Sequence, residues 1–186
     1  MGAFLSIGVA SSFKVAKRET DKVSLDKIIE KMISEIGFDA NLYEINDIDY
    51  AWEWYLKVDK IQSDFVPFLE KFYSVLGKFA RLDDANEVIQ KLKTEQPSSL
   101  QAFIEEDSFY NFQESYSSES YDLYFEKIDS TMKDKIKISS DFITLASTGK
   151  IMMEATGGFF DFFETMIHEY FKEYKLAKNL KVYISG

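Results

Sequence analysis

The single histidine, His168, is the side chain with the most common general-base chemistry in this sequence. Apolar residues at helical spacing predict a helix over residues 159–174. Its buried stripe is expected to comprise Phe159, Phe163, Met166, Ile167, Tyr170 and Tyr174. His168 lies off that stripe, with Glu164 one turn before it and Lys172 one turn after it, so we expect it in an exposed charge ladder. Lys172 also stands where a zinc-protease helix would need its second histidine.

The tetrapeptide Ser147–Lys150, Ser-Thr-Gly-Lys, resembles the end of a phosphate-binding loop. Thr144 stands where such a loop requires its first glycine, and Ile151 replaces the serine or threonine that would bind magnesium. We therefore predict a hairpin turn in which Gly149 supplies a positive φ, followed by a second apolar run at residues 151–153.

Cysteine chemistry is excluded because the chain contains no cysteine. Disulfides, thiolate nucleophiles and cysteine-based metal sites are therefore ruled out. The sequence also lacks a glycine-rich dinucleotide-binding motif and a nucleophile-elbow motif. It predicts no cofactor and no metal site.

Carboxylates are the remaining groups that could do acid–base chemistry. Glu154 precedes Gly157 and Gly158, where a strand-to-helix junction of an α+β fold can line a cleft. Beside the rings of Trp52 or Trp54, its carboxyl would have a raised pKa and could donate a proton. Trp52, Trp54 and Glu154 thus define one interpretation, a small-molecule-binding protein or an enzyme with a carboxylate and aromatic pocket. A solvated acid at the end of a strand is the simpler alternative for Glu154.

The stretch from Glu105 to Asp134 combines acidic with aromatic residues, which suits a surface that binds proteins. Ser117–Ser120 predicts a turn, so we expect a β-hairpin in which residues 109–116 pair with residues 121–127. The candidate binding residues are Tyr110, Glu114, Tyr116, Glu119, Tyr121, Asp122 and Tyr124. The many rings argue against a disordered acidic tail, which would be poor in aromatic residues.

The net charge of −10 disfavours nucleic acid and anionic membrane surfaces as partners. A basic protein is the electrostatically favoured partner, although negative charge also maintains solubility. No apolar run reaches the roughly 18 residues that a membrane-spanning helix needs. We therefore expect a cytoplasmic, non-catalytic, acidic binding protein. An inhibitor or immunity-type protein that acts on a basic protein has this profile.

Several elements must position these groups. Residues 3–16 predict a strand that is apolar on both faces and therefore central in a sheet, with a bulge or a close backbone approach at Gly8 and at Ser11–Ser12. An amphipathic stripe at residues 25, 28, 29, 32, 33 and 36 predicts a helix capped by Ser24 and ended by Gly37. Further predicted elements are strands at 42–45, 50–58, 142–146 and 181–185, a turn at 46–49, and helices at 63–77, 81–93 and 98–104.

Together these elements predict a single α+β domain over residues 1–186, with a mixed, mainly antiparallel sheet packed against amphipathic, aromatic-rich helices. Phe65–Tyr73 and Phe159–Ile167 share an aromatic pattern. The likeness raises the hypothesis of two similar strand–helix halves, 1–78 and 108–186, joined by a helical segment at 79–107. Shared amphipathic patterning explains the likeness without duplication.

Overall fold

The computed structural model describes residues 4–19, 23–77, 82–106, 116–125, 135–148 and 159–185. Its strands are β1 (Phe4–Ala16), β2 (Tyr43–Ile48), β3 (Ala51–Leu56), β4 (Tyr116–Tyr124), β5 (Lys135–Thr148) and β6 (Leu180–Ser185). Its helices are α1 (Leu25–Ile36), α2 (Val58–Lys60), α3 (Val66–Leu76), α4 (Leu82–Glu95), α5 (Leu100–Glu106) and α6 (Phe159–Tyr170). The predicted α+β class is confirmed, and every strand pairing among the described residues is antiparallel.

β1 is the central strand of the sheet, as its apolar faces predicted. It pairs with β5 along one side, and with β3 and β6 end to end along the other. Register shifts beside Gly8 and around Ser11 fall where bulges were predicted. A Cβ on Gly8 would lie 3.1 Å from both the Ile143 carbonyl oxygen and the Tyr183 ring. Glycine at this position therefore lets β5 and β6 approach the central strand closely.

α1 has the predicted bounds and ends at Gly37, which has a φ of 68° and donates its N–H to the Met32 carbonyl oxygen. Ile28 and Met32 are buried, as the amphipathic stripe predicted. Ile33 was predicted on the same stripe but is 50% exposed. It lies about 100° around the helix from Met32 and so falls at the edge of the buried arc. The Ser24 hydroxyl makes no capping hydrogen bond.

The β2–β3 hairpin turns later than predicted. Asn46, Asp47 and Ile48 fall in the predicted turn, but in the structure they extend β2 and pair with β3. Asp49 and Tyr50 alone connect the two strands, as in a two-residue hairpin loop. The longer pairing satisfies backbone groups that a wider turn would leave to water.

The helix after β3 begins earlier than predicted. It starts at Val58 rather than near Ser63, because a π-helical turn at Ile61–Phe65 joins α2 to α3. The Ser63 hydroxyl donates to the Asp59 carbonyl oxygen at 3.0 Å, so it bonds back along the helix instead of capping it.

The predicted acidic β-hairpin is wrong where the structure describes it. Ser117–Ser120, its predicted turn, belong to β4, which pairs with β5. Residues 109–115 lie outside the described residues. The pairing is favoured by apolar cross-strand neighbours such as Leu123 and Ile136, which are both buried. A contact between segments this far apart in sequence outweighs the local turn signal of the serines.

The C-terminal region contains longer strands than predicted. β5 begins at Lys135 and ends at Thr148, so Ser147 and Thr148 lie in the strand rather than in a turn. Gly149 and Lys150 lie outside the described residues, as does the apolar run at 151–153. The closing strand is confirmed as β6, which pairs with β1.

α4 and α5 lie between β3 and β4 in the sequence, close to the helices predicted at 81–93 and 98–104. α4 buries Val88, Ile89 and Leu92. The Ser99 hydroxyl accepts a hydrogen bond from the Ala102 N–H at 3.0 Å and so caps α5. None of the described helices is long and apolar enough to cross a membrane.

Among the described residues, aromatic side chains form two clusters within the core. One comprises Phe13, Phe38, Tyr43 and Trp54, and the other Phe68, Phe72, Tyr73 and Phe171. The buried Tyr43 and Tyr73 hydroxyls donate to the carbonyl oxygens of Ala10 and Leu145, so each cluster is also tied to the sheet backbone. The division of the chain into two similar halves stays a prediction.

Candidate protein-binding surfaces

The predicted acidic and aromatic binding residues do not share one face of the sheet. Tyr110 and Glu114 lie outside the described residues, and Tyr116 and Glu119 occupy β4 positions opposite β5. Tyr121 pairs with Ile138 and packs against the core, whereas Asp122 and Tyr124 alternate onto the other face. Of the described side chains among these residues, only Asp122 and Tyr124 share a face.

The Tyr121 side chain mainly contacts neighbouring elements of the fold rather than solvent. The ammonium of Lys181, on β6, lies 4.8 Å from the centre of its ring. Burial, reinforced by the nearby charge of Glu164, raises the pKa of Tyr121 to about 12. Burial also lowers the pKa of Lys181. The contact stabilises the β4 edge, and its burial makes Tyr121 a poor anchor for a partner.

Asp122 is an acid whose charge is already compensated. Its carboxylate accepts a hydrogen bond from the Lys135 ammonium at 2.7 Å, and Lys137 stands opposite it on β5. The hydrogen bond from Lys135 holds the pKa of Asp122 below its usual value. Tyr124 is 57% exposed on the same face. This part of the sheet therefore presents an exposed ring beside balanced charges.

Of the residues predicted for the alternative pocket, Trp54 lies in the core and Trp52 lies at its periphery. Trp54 is buried and its ring centre lies 6.0 Å from that of Phe38. Trp52 is half-buried, with the Lys17 ammonium 5.7 Å from its ring centre. Glu154 lies outside the described residues. Trp54 thus contributes to the aromatic core that supports the β2–β3 hairpin.

A polar network between β1 and β3 was not predicted. Glu53 is buried, and its carboxylate accepts hydrogen bonds from Lys14 at 2.6 Å and from Tyr55 at 2.8 Å. Burial alone would raise the pKa of Glu53, but these bonds outweigh it and the pKa is lowered. The hydrogen bond to Glu53 raises the pKa of Lys14. Both groups stay charged near neutral pH, so they hold each other rather than transfer protons.

The neighbouring serine network is equally well satisfied. The Ser12 hydroxyl donates to the Asp141 carboxylate at 3.0 Å, and the Ser11 hydroxyl donates to the Asp141 carbonyl oxygen at 3.1 Å. Both serines sit where β1 bulges against β5. The sequence signal for these networks is weak, because the partners become neighbours only through the pairing of distant strands.

The outer strand β2 is exposed on both of its faces. Four consecutive side chains, Glu44, Ile45, Asn46 and Asp47, are exposed, and Asp49 and Tyr50 in the turn are exposed as well. Lys17 pairs with Asp47 at 2.5 Å, whereas no cation in the described part of the chain pairs with Glu44 or Asp49. The β2 edge is therefore acidic, and its negative charge is only partly compensated by cations of the described chain.

α6 also presents an exposed apolar surface, which includes two residues that were predicted to be buried, Met166 and Tyr170. Phe163, Ile167 and Phe171 point inward and are buried. Phe162, Met166 and Tyr170, which we name the α6 outer stripe, are 62%, 49% and 55% exposed. The predictions for Met166 and Tyr170 are wrong, because apolar residues occupy more than one face of this helix and periodicity alone does not select the buried one.

Acidic residues border the α6 outer stripe. Asp161 and Glu169 lie on the helix beside it and Glu173 lies in the turn that follows the helix, and all three are exposed. Lys172 pairs with Glu169 at 3.1 Å, and Glu164 lies 3.6 Å from the Nε2 atom of His168. The predicted neighbour Glu164 does lie beside His168, but the His168 side chain is half-buried rather than exposed. Its second predicted neighbour, Lys172, binds Glu169.

Metal binding and known relatives give no further assignment. Among the described residues, no group of histidine, aspartate and glutamate side chains is arranged to hold a metal ion. Comparison of the chain with protein-family models, with curated proteins and with solved structures found no match.

Proposed function

We propose that this protein is a non-catalytic, acidic binding protein for a basic protein, of the inhibitor or immunity type. The observation that carries the proposal is the α6 outer stripe, in which Phe162, Met166 and Tyr170 are each about half exposed. Large apolar side chains aligned on one helix face and bordered by polar groups favour docking of another protein.

The negative charge of the protein favours a basic partner. The chain has a net charge of −10, and no described cation pairs with Asp161 or Glu173 beside the stripe. A basic surface would gain from these charges during encounter, while the apolar stripe would supply most of the affinity after docking. In this proposal the protein acts in the cytoplasm, where a chain without cysteine is unaffected by reducing conditions.

The surface predicted on β4 remains part of the proposal as a second contact. Asp122 and Tyr124 share a face, and Tyr124 is an exposed ring of the kind that anchors interfaces. Because Asp122 is balanced by Lys135, we assign this surface a smaller share of the binding than the α6 outer stripe.

A capture experiment with matched variants tests the proposal. The immobilised protein would be exposed to lysate from its own source at low and at moderate salt, and retained proteins would be identified by mass spectrometry. We expect the wild type to retain a basic protein and the variant Phe162→Ser/Tyr170→Ser to lose it. Ile33→Ser is the control, because it removes another half-exposed apolar side chain, on α1.

Confirmation would come from titration calorimetry with the purified partner. The proposal fails if the retained protein is not basic, or if the α6 variant binds it as tightly as the wild type and as Ile33→Ser. Circular dichroism would show that both variants keep the wild-type helix content.

A further inference from the structure

The strand β2 has an outer side that pairs with no strand among the described residues. The Lys57 N–H donates to the Leu42 carbonyl oxygen at 2.9 Å, which identifies these two as a hydrogen-bonded pair at the start of the hairpin. Hydrogen-bonded and non-bonded pairs alternate along an antiparallel ladder. Glu44, Asn46 and Ile48 therefore direct their backbone groups toward β3, and the intervening residues direct theirs outward.

The outward backbone groups belong to Tyr43, Ile45 and Asp47. This assignment agrees with the turn, because the residues that flank a two-residue hairpin loop, here Ile48 and Ala51, form a bonded pair. The register of β2 with β3 contains no shift, so the outer side is regular as well. A regular row of alternating donors and acceptors is a template for one more strand.

Most outer strands are protected by lysine, proline or a bulge, but β2 has none of these. Its protection is negative charge from Glu44 and Asp47, with Asp49 in the adjoining turn. Glu44 and Asp47 project from opposite faces of the strand because their positions differ by an odd number of residues. Ile45, which is 43% exposed, adds an apolar contact on the face of Asp47.

We infer that the β2 edge (Tyr43–Ile48) binds an extended, basic protein segment as an added strand. Backbone hydrogen bonds to Ile45 and its outward neighbours hold the segment. Lysine or arginine side chains of the segment neutralise Glu44 on the strand and Asp49 in the adjoining turn, since Asp47 already pairs with Lys17. The inference shares with the proposed function the basic character of the partner, but it uses a different surface and stands without the α6 outer stripe.

A second copy of this chain is a poorer occupant. Antiparallel self-pairing about Ile45 would set Glu44 of each copy beside the other's Asn46, which makes the two Glu44 carboxylates diagonal neighbours on one face. Like charges across a strand pair are destabilising, and each copy has a net charge of −10. The charge that attracts a basic segment thus opposes pairing with itself.

The test uses a defined probe, a fluorescein-labelled peptide Thr-Lys-Lys-Val-Lys-Lys-Thr, titrated with the full chain and followed by fluorescence anisotropy. Ile45→Pro removes one outward N–H and leaves the ladder to β3 intact, so we expect binding about tenfold weaker. Ile45→Thr is the matched control, since it keeps the N–H and should bind within about threefold of the wild type. Glu44→Gln/Asp49→Asn should weaken binding at low salt and flatten its salt dependence.

Hydrogen exchange provides a measurement that needs no variant. Peptide binding should slow exchange of the Ile45 and Asp47 amides while leaving that of Asn46, already bonded to β3, unchanged. The inference is overturned if Ile45→Pro binds the peptide like the wild type, or if these two amides are not protected. It is also overturned if light scattering shows a dimer that Ile45→Pro converts to a monomer, since the edge would then be occupied by a second copy.

The two proposals can fail separately. Phe162→Ser/Tyr170→Ser should leave peptide binding unchanged, because the α6 outer stripe takes no part in strand addition. Conversely, Ile45→Pro should leave the helix-docked partner bound. Loss of peptide binding in the α6 variant would contradict the inference about β2.

Discussion

β2 and β4 are the end strands in the sheet order β2-β3-β1-β5-β4. Both present acidic side chains, but they differ in how far neighbouring cations compensate the charge of those acids. On β4, Asp122 is bonded to Lys135 and faces Lys137 on the adjacent strand. On β2, no cation in the described part of the chain forms an ion pair with Glu44, whereas Asp47 pairs with Lys17. An acid that already has a cation gains little from a basic partner, whereas an uncompensated one gains more.

The two strands also differ in what their side chains do. Tyr121 on β4 packs against Lys181 and the core, so that strand is fixed from within the fold. β2 is fixed by its pairing with β3 and by Tyr43, while its next four side chains are exposed. β4 is therefore mainly a structural strand, and β2 is the better candidate for recognition.

The largest predicted effect separates the inner and outer sides of β2. Glu44→Pro removes an N–H that bonds to β3, and we expect it to lower the free energy of unfolding by about 3 kcal/mol. Ile45→Pro removes an outward N–H and should lower it by about 1 kcal/mol or less. Urea denaturation followed by circular dichroism measures both. Equal losses in the two variants would show that the assignment of inner and outer residues is wrong.

The second prediction concerns the hydrogen bonds of Glu53, which join β3 to β1 and so support the β2–β3 hairpin. Glu53→Gln removes the charge from a buried carboxylate that Lys14 and Tyr55 hold. Because the Lys14 side chain is 43% exposed, we discount the ion pair and expect a loss of about 1–2 kcal/mol in unfolding free energy. Thermal denaturation checks it. Tyr55→Phe, which keeps the ion pair and removes one hydrogen bond, should cost less.

The same carboxylate predicts an acid dependence. The pKa of Glu53 is lower in the folded protein than its ordinary value of 4.5. Its contribution to stability is therefore complete above that value and is lost as the pH falls through the folded pKa. Unfolding free energy should fall less steeply with acid in Glu53→Gln than in the wild type. Parallel pH profiles for the two proteins would contradict the assigned role of the network.

The sequence predicted elements whose signals are local. The stripe of α1 and the glycine that ends it are encoded within the segment itself, as are the bulges of β1. The partner of β4 is not local, since Leu123 meets Ile136 only after intervening residues bring β5 alongside. In α6, rings at Phe162 and Phe163 make adjacent faces equally apolar, so the sheet decides which is buried.

The candidate site was harder to predict for the same reason. Tyr121, Asp122 and Tyr124 are adjacent in sequence, but strand alternation and the cations of β5 and β6 give them separate roles. Which backbone groups of β2 point outward depends on where the turn lies. The turn predicted at 46–49 takes Asn46, Asp47 and Ile48 out of the strand, so their role in its outer side cannot be predicted. Surface recognition here follows from register, which composition does not encode.

The fourth prediction tests the internal role of β4. Burial raises the pKa of Tyr121 to about 12 from its ordinary value of 10.0, so its contribution to stability is present below pH 10 and is lost as the pH rises through 12. Tyr121→Phe should extend stability to higher pH with little change at neutral pH. An absorbance titration should show one fewer phenol ionising near pH 12. Tyr124→Phe is the control on the exposed face.

The smallest predicted effect is at the balanced acid of β4. Asp122→Asn removes an exposed ion pair with Lys135, and such pairs contribute little to folding, so we expect no measurable change in urea-induced unfolding. It should also leave binding of the lysine-rich peptide unchanged, whereas Glu44→Gln should weaken it at low salt. If both substitutions weaken binding equally, the difference between the edges does not come from charge compensation. Equal effects would instead assign the attraction to the net negative charge of the whole protein, which acts on every face.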